Sequence, residues 1–198
     1  MTENAPSPAR LEAFSDGVIA VIITIMVLEI KVPHADGFEG LRELAPSLLI
    51  YLLSFTFTGI YWLNHQHVVK RVEKAGHAMQ CANLGFLFCL SLMPLSTAYV
   101  VDKHLSGFAV AVYSASFLIV ALSFLWIRLN VYRHLKVHDA LSHEDRWGLR
   151  SHLLSLFIYL VGVAAGTRYP RAVLGAIALL TFLWTLPNLS IRYVKASK

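Results

Sequence analysis

Over its 198 residues the chain is 57% hydrophobic and only 15% charged, whereas soluble domains of this size carry about 25% charged residues. The charges lie between long apolar runs rather than along them, which is typical of a helical membrane protein. The net charge of +5 does not indicate nucleic-acid binding, because the lysines and arginines fall in short loops where they report orientation. The composition therefore predicts an all-α protein in a lipid bilayer, with no nucleic acid among its partners.

The apolar runs predict six membrane-spanning helices in one domain that covers 1–198, with a flexible N-terminus at 1–9. Pro94 lies inside the third span, where it removes a backbone hydrogen bond, and Pro187 interrupts the sixth. A polar stretch at 131–150 separates the fourth span from the fifth. The predicted spans are 10–31, 45–65, 79–101, 108–130, 151–166 and 172–191.

The loops on the two sides of the membrane carry unequal numbers of basic residues. If the N-terminus is inside, twelve of the 17 lysines and arginines fall on the cytoplasmic side. Cytoplasmic loops of membrane proteins are enriched in these residues. The distribution therefore predicts that both termini are cytoplasmic.

The first span has two distinct faces. At about 100° per residue, Val21, Ile25 and Leu28 fall within roughly 60° of one another, with Thr24 beside them. Asp16 lies about 140° from Val21 on the same helix. Taken alone, an apolar stripe of this kind is most simply a surface for helix packing.

The carboxylate of Asp16 is unusual near the start of a membrane helix. Insertion of such a group at a helix centre costs about 2.5–3.5 kcal/mol on measured insertion scales. Glu12 and Asp16 also repel each other as an i,i+4 pair. We therefore expect Ser15 and Asp16 to have partners on other helices. The candidates at matching depth are Trp62, Asn64, His65, Asn83, Arg128 and Asn130.

At these residues the chain resembles a known family. Its first span opens with Arg10-x-x-x-Phe14-Ser15-Asp16 and runs on to Val-Leu-Glu, its second ends in Trp62-x-x-His65, and its third contains Leu-Ser-Leu-Met-Pro. Together these motifs are similar to the potassium channels related to lysosomal transmembrane protein 175. A single six-span unit is typical of the bacterial and archaeal members.

The resemblance implies a homotetramer in the prokaryotic plasma membrane that conducts potassium and other monovalent cations, with no cofactor besides the permeant K⁺. It also implies that rings of apolar side chains from the first spans, at Val21, Ile25 and Leu28, constrict the pore. Val21 is smaller than the isoleucine or leucine expected there, so selectivity is assigned more to Ile25, Leu28 or the Thr24 hydroxyl. Such a ring favours potassium over sodium because potassium loses water more readily, and it closes by dewetting.

The resemblance further implies that polar residues of neighbouring helices support the pore helix without contacting the ion. The residues that match this network are Arg10, Phe14, Ser15, Asp16, Trp62 and His65.

Two other functions remain as alternatives. A proton- or sodium-coupled secondary transporter would use Asp16, although the spans show no inverted halves. A non-conducting scaffold would use the polar layer for assembly alone. The nine histidines have no metal-ligand spacing, and no catalytic motif is present, so we expect neither a metal site nor an enzyme.

Overall fold

Helices make up all the regular structure of the residues that a computed structural model describes, 8–72 and 76–186. Short connections join consecutive helices. The helices are α1 (Pro8–Leu28), α2 (Gly37–Val69), α3 (His77–Ser91), α4 (Met93–Asp102), α5 (Gly107–Val137), α6 (His143–Gly166) and α7 (Pro170–Thr185).

Five stretches of the described chain are long and apolar enough to cross a membrane, with α3 and α4 counting as one. The predicted all-α membrane fold is therefore confirmed, whereas the predicted count of six full-length spans is not reached in these residues. The remaining apolar helix, α7, has 16 residues. The end of the predicted sixth span, with Pro187, lies outside the described residues.

Several helix ends differ from the sequence prediction. The first span ends at Leu28 rather than Lys31, and Pro8 and Ala9 belong to α1 rather than to a flexible N-terminus; residues 1–7 lie outside the description. The second span begins at Gly37 rather than at residue 45. The Asp36 carboxylate accepts a hydrogen bond from the Gly37 N–H at 2.7 Å, which caps the helix before its apolar run begins.

The polar stretch at 131–150, predicted to separate two spans, is largely helical. α5 continues to Val137, and α6 already begins at His143. Ser142 and Asp145 form a reciprocal capping box that fixes this start. Polar residues extend both helices beyond their apolar runs, so the loop between them is short.

The third span is interrupted next to Pro94. α3 ends at Ser91 and α4 begins at Met93, with Leu92 between them. Proline has no N–H to donate to the preceding turn, so the break lies where the sequence predicts an irregularity.

Ion pairs join the helices at both ends of the bundle. We call the end at which α1 begins proximal and the opposite end distal. The pairs between elements are Glu12–Lys70 at 3.2 Å and Arg71–Asp145 at 2.9 Å at the proximal end, and Lys31–Asp102 at 2.7 Å at the distal end. At the distal end the Asp102 carboxylate also accepts a hydrogen bond from Lys103, which raises the pKa of Lys103 above its ordinary value.

Aromatic rings fill the interior between α2, α5 and α6. The centroids of Phe57 and Phe117 are 4.0 Å apart, and those of Tyr61 and Phe124 are 5.2 Å apart. These side chains are buried. Helix α1 lies at one side of the bundle, where it packs against α2, α3 and α4. Part of the surface of α1 is uncovered.

Candidate functional site

One face of α1 is fixed in the bundle. It repeats every three or four residues, which is the spacing of a single helix face. Its buried residues are Leu11, Ser15, Ile19, Ile22 and Met26.

The stripe predicted from helical geometry lies on an uncovered face of α1. Val21, Ile25 and Leu28 expose 55%, 40% and 80% of their surface. Thr24 is exposed beside them and donates its hydroxyl proton to the Val21 carbonyl oxygen at 2.9 Å. The stripe therefore presents branched apolar side chains and one hydroxyl oxygen whose proton is already engaged.

Two residues predicted for the polar network lie instead in line with the stripe. Arg10 and Phe14 fall within about 20° of Val21 when projected around the helix, and both are exposed. Neither makes a side-chain hydrogen bond or ion pair within the described part of the chain. They continue the exposed row toward the proximal end.

A groove of about 820 Å³ runs between α1 and the broken third span. Gly17, Val21 and Ile25 line one wall, and Pro94 and Leu95 line the other. The break at Leu92 thus lies beside the exposed stripe.

The Asp16 carboxylate is tied to α2. Trp62 donates its indole N–H to Asp16 Oδ1 at 2.8 Å. This contact joins two of the predicted network residues across a helix interface. It holds the carboxylate on the side of α1 away from the stripe.

A second contact set, fully buried, links α1, α2 and α3. Asn83 donates its amide N–H to the Ser15 hydroxyl at 3.0 Å, and its Oδ1 lies 2.7 Å from His65 Nε2. The Ser15 hydroxyl in turn donates to the Leu11 carbonyl oxygen at 2.8 Å. Because an amide oxygen only accepts, this arrangement assigns the proton of neutral His65 to Nε2. Asn83 is the bridge that brings Ser15 and His65 together.

The His65 ring is also held by stacking on Phe86, with centroids 5.7 Å apart and planes inclined by 11°. Its Nδ1 is buried and has no hydrogen-bond partner among the described residues. The ring thus uses one nitrogen and one face to lock α2 against α3.

Other polar residues were predicted at the depth of Ser15 and Asp16, and we call residues at this depth the polar layer. Of these, Arg128 donates to Asn64 Oδ1 at 2.8 Å and lies over the Phe124 ring, 5.4 Å from its centroid. Among the described residues, the Asn130 side chain bonds only its own helix, donating to the Trp126 carbonyl oxygen at 2.8 Å. The layer therefore extends from α1 through α2 to α5.

Sequence reasoning missed one buried polar cluster nearer the distal end. The Ser54 hydroxyl lies 2.8 Å from the Thr97 hydroxyl and 2.7 Å from the Tyr113 hydroxyl. Each of these residues looks like an ordinary member of an apolar run, and only the packing of α2, α4 and α5 brings the three together. The cluster holds the second half of the third span against the bundle.

Comparison with known proteins gives concordant matches. The family model for the endosomal/lysosomal potassium channel TMEM175 matches residues 10–94. A potassium channel of Chryseobacterium sp. (strain P1-3) is 36% identical over 179 residues, which cover 90% of this chain and 93% of that protein. The human endosomal/lysosomal proton channel TMEM175 is 34% identical over 102 residues, 46% of this chain and 20% of that protein.

A solved structure is similar over almost the whole length. The crystal structure of a lysosomal potassium-selective channel TMEM175 homolog from Chamaesiphon minutus superposes with a TM-score of 0.78 at 28% identity, covering 94% of this chain and 98% of that one. The motifs at the head of α1, the helical membrane fold and these matches agree. The chain belongs to the TMEM175 family of ion channels.

Proposed function

We propose that this chain is the subunit of a potassium-permeable channel whose pore is lined by α1. The bacterial relative and the solved homologue bear potassium-channel names, and both match nearly the whole chain. The observation that carries the proposal is the stripe of Val21, Ile25 and Leu28. It is exposed on a helix whose other side is anchored by polar contacts to two neighbouring helices.

The assembly that fits this role is a homotetramer in the bacterial plasma membrane, with four α1 stripes around one axis. In this arrangement α7 serves as the sixth span, the proximal end and both termini are cytoplasmic, and the whole chain is one channel domain. The channel needs no cofactor, since the permeant K⁺ is its ligand. Without such an assembly, the exposed branched residues of α1 would face only lipid. The polar contacts that anchor the opposite side of this helix would then have no explanation.

Conduction follows from the chemistry of the stripe. An apolar ring binds no ion, so a cation passes only after losing part of its hydration shell, and potassium loses water more readily than sodium. Thr24 adds an oxygen with lone pairs to the same face. Arg10, in line with the stripe at the proximal end, lies at the mouth of such a pore.

The polar contacts serve as anchors in this mechanism rather than as ion sites. Asp16 accepts from Trp62 at 2.8 Å and lies about 140° around the helix from Val21. Ser15 is held through Asn83 and His65. Fixing this side of α1 sets the rotation of the helix and thereby the direction of the stripe.

A coupled transporter remains the alternative, because Asp16 is a carboxylate within a membrane helix and such groups carry protons in many transporters. The human relative is named a proton channel, so proton movement has to be measured for a channel as well as for a transporter. Flux measurements separate these functions, since a channel passes ions down a gradient without a coupled ion.

The test is cation flux from liposomes that contain the purified protein under opposed potassium and sodium gradients, with an internal pH dye. The variants are Ile25→Ala and Leu28→Ala, and the control is Ile23→Ala, a partly buried isoleucine of the same helix. We expect potassium-favouring flux whose preference falls about fivefold in the stripe variants, equivalent to about 1 kcal/mol in the dehydration barrier.

Two outcomes would contradict the proposal. One is an absence of cation flux beyond empty liposomes from folded, inserted protein. The other is an equal loss of preference in Ile23→Ala and in the stripe variants, which would remove the pore from this face.

A further inference from the structure

Four cations lie together at the proximal ends of α5 and α6. We call them the α5–α6 basic surface; they are Arg133, Lys136, Arg146 and Arg150. All four are exposed. Within the described part of the chain none of them makes an ion pair, whereas Lys70 and Arg71 at the same end are paired with acids.

Of the three acidic residues beside this surface, Asp145 is already engaged by other side chains. Asp145 Oδ2 receives hydrogen bonds from Arg71 at 2.9 Å and from the Ser142 hydroxyl at 2.7 Å. Glu144 lines a small cavity of about 30 Å³ together with Arg71. Asp139, in the loop, is exposed. The surface therefore has an excess of positive charge that its own acids do not neutralise.

A row of apolar residues lies on the distal side of the α6 arginines. Arg146 and Arg150 are four residues apart, and the row continues with Leu154, Phe157 and Val161 at the spacing of one helix face. Leu154, Phe157 and Val161 expose 58%, 62% and 46% of their surface. A helix face that changes from exposed leucine and phenylalanine to arginine matches the change from acyl chain to headgroup in a bilayer.

α5 repeats the pattern. Leu122 and Trp126 expose 50% and 48% of their surface, and Arg133 follows on the same face two turns later. On α6, Trp147 lies between the two arginines and exposes 47%. Tryptophan is enriched at the headgroup level of membranes, and each of the two helices carries an exposed indole next to its cations or on the bilayer side of them.

We propose that the α5–α6 basic surface binds the headgroups of anionic phospholipids, with the acyl chains along the apolar rows of the two helices. Arginine forks bind phosphate oxygens through paired N–H donors, and the lysine adds a point charge. Phospholipid fits better than a soluble phosphate compound, because the cations adjoin faces suited to acyl chains. This lipid site does not depend on which ion the pore conducts.

The test uses the full chain in phosphatidylcholine liposomes that contain one tenth of either dibromo-phosphatidylglycerol or dibromo-phosphatidylcholine. Bromine quenches nearby tryptophan, and Trp126 and Trp147 lie beside the site; Trp62 and Trp184 contribute a background that all the compared proteins share. The test variant is Arg133→Gln, Lys136→Gln, Arg146→Gln and Arg150→Gln combined. The control variant, Arg42→Gln, Arg168→Gln and Arg171→Gln, removes three exposed cations of the distal end.

We expect the wild type to be quenched more strongly by the anionic lipid, and this preference to fall at high salt because the attraction is electrostatic. The test variant should lose at least about fivefold in local anionic-lipid enrichment, the effect of one cation at an anionic surface. The distal control should keep the preference. Soluble glycerophosphate should not compete, since it lacks acyl chains.

Equal quenching of the wild type by the two lipids overturns the proposal, as does a test variant that keeps the preference. Competition by glycerophosphate would replace the lipid with a soluble phosphate ligand and would also overturn it. If the fourfold variant fails to fold, the double variant Arg146→Gln/Arg150→Gln and the salt dependence of the wild type decide the question.

Discussion

The indole N–H of Trp62 donates to the carboxylate of Asp16 at 2.8 Å, which joins α2 to α1 at the proximal end of the bundle. The contact lies on the side of α1 opposite the apolar stripe. It gives this carboxylate of a membrane helix a hydrogen-bond donor within the protein, and it makes the function of Asp16 testable.

Replacing the carboxylate separates a channel from a coupled transporter. Asp16→Asn keeps an oxygen that accepts from Trp62 but removes the charge and the titrating proton. We expect this variant to keep potassium flux in liposomes, because the anchor survives. Loss of flux in Asp16→Asn with retained folding would instead favour a transporter in which Asp16 binds the coupled ion.

Removing the donor tests the anchor itself. Trp62→Phe leaves the carboxylate without its indole partner and should lower the free energy of unfolding by about 1 kcal/mol, the usual scale for a hydrogen bond between membrane helices. Thermal unfolding in detergent measures the effect. A Trp62→Phe protein as stable as Asp16→Asn would contradict a stabilising role for this bond.

The faces of α1 could be predicted from the sequence because a helix turns by a fixed angle per residue. The same regularity allowed Trp62 and His65 to be predicted at the same membrane depth as Ser15 and Asp16. It could not single out Asn83 as the bridge between Ser15 and His65, because several polar residues lie in that layer and the choice depends on how the helices pack. Ser54, Thr97 and Tyr113 escaped prediction for the same reason.

The helical extent of 131–150 could have been found from a local signal. Ser142 and Asp145 have the spacing of a capping box, which marks a helix start whatever the polarity of the residues that follow. Locating the spans by their apolar runs ignores that signal, since an apolar run marks the membrane-embedded part of a helix rather than the whole helix. The exposed cations at these helix ends were visible in the sequence, but the pairing of the neighbouring acids was not.

Asn83 should be the residue of the buried network that is most sensitive to substitution. Asn83→Leu keeps the approximate volume and leaves both the Ser15 hydroxyl and His65 Nε2 without their partner. We expect a loss of about 1–3 kcal/mol in unfolding free energy, measured by thermal unfolding. Asn130→Leu is the control, because the Asn130 amide donates to the backbone of its own helix and not to another helix of the described chain. Similar losses in both variants would show that Asn83 has no special role.

Two glycines predict opposite responses to the same substitution. A Cβ added at Gly166 would lie 2.9 Å from the Cα of Ala111, whereas one added at Gly175 would meet nothing within 4 Å. Gly166→Ala should therefore destabilise the protein by about 1–3 kcal/mol through overpacking of α6 against α5. Gly175→Ala should be neutral or stabilising, because alanine is the better helix former. A destabilised Gly175→Ala with an unaffected Gly166→Ala would contradict this packing.

The most direct test of the central proposal asks which face of α1 meets the ion path. In a background with Cys81 and Cys89 changed to serine, single cysteines replace Val21, Ile25, Leu28 or Val27, and a water-soluble cationic methanethiosulfonate reagent is added during potassium flux. Val27 is the matched control, since it is 46% exposed but lies about 120° around the helix from Val21. We predict loss of flux on modification of the cysteines at 21, 25 and 28, and unchanged flux for the one at 27. Block at 27 with no effect at the other three positions would place the ion path on a different face of α1.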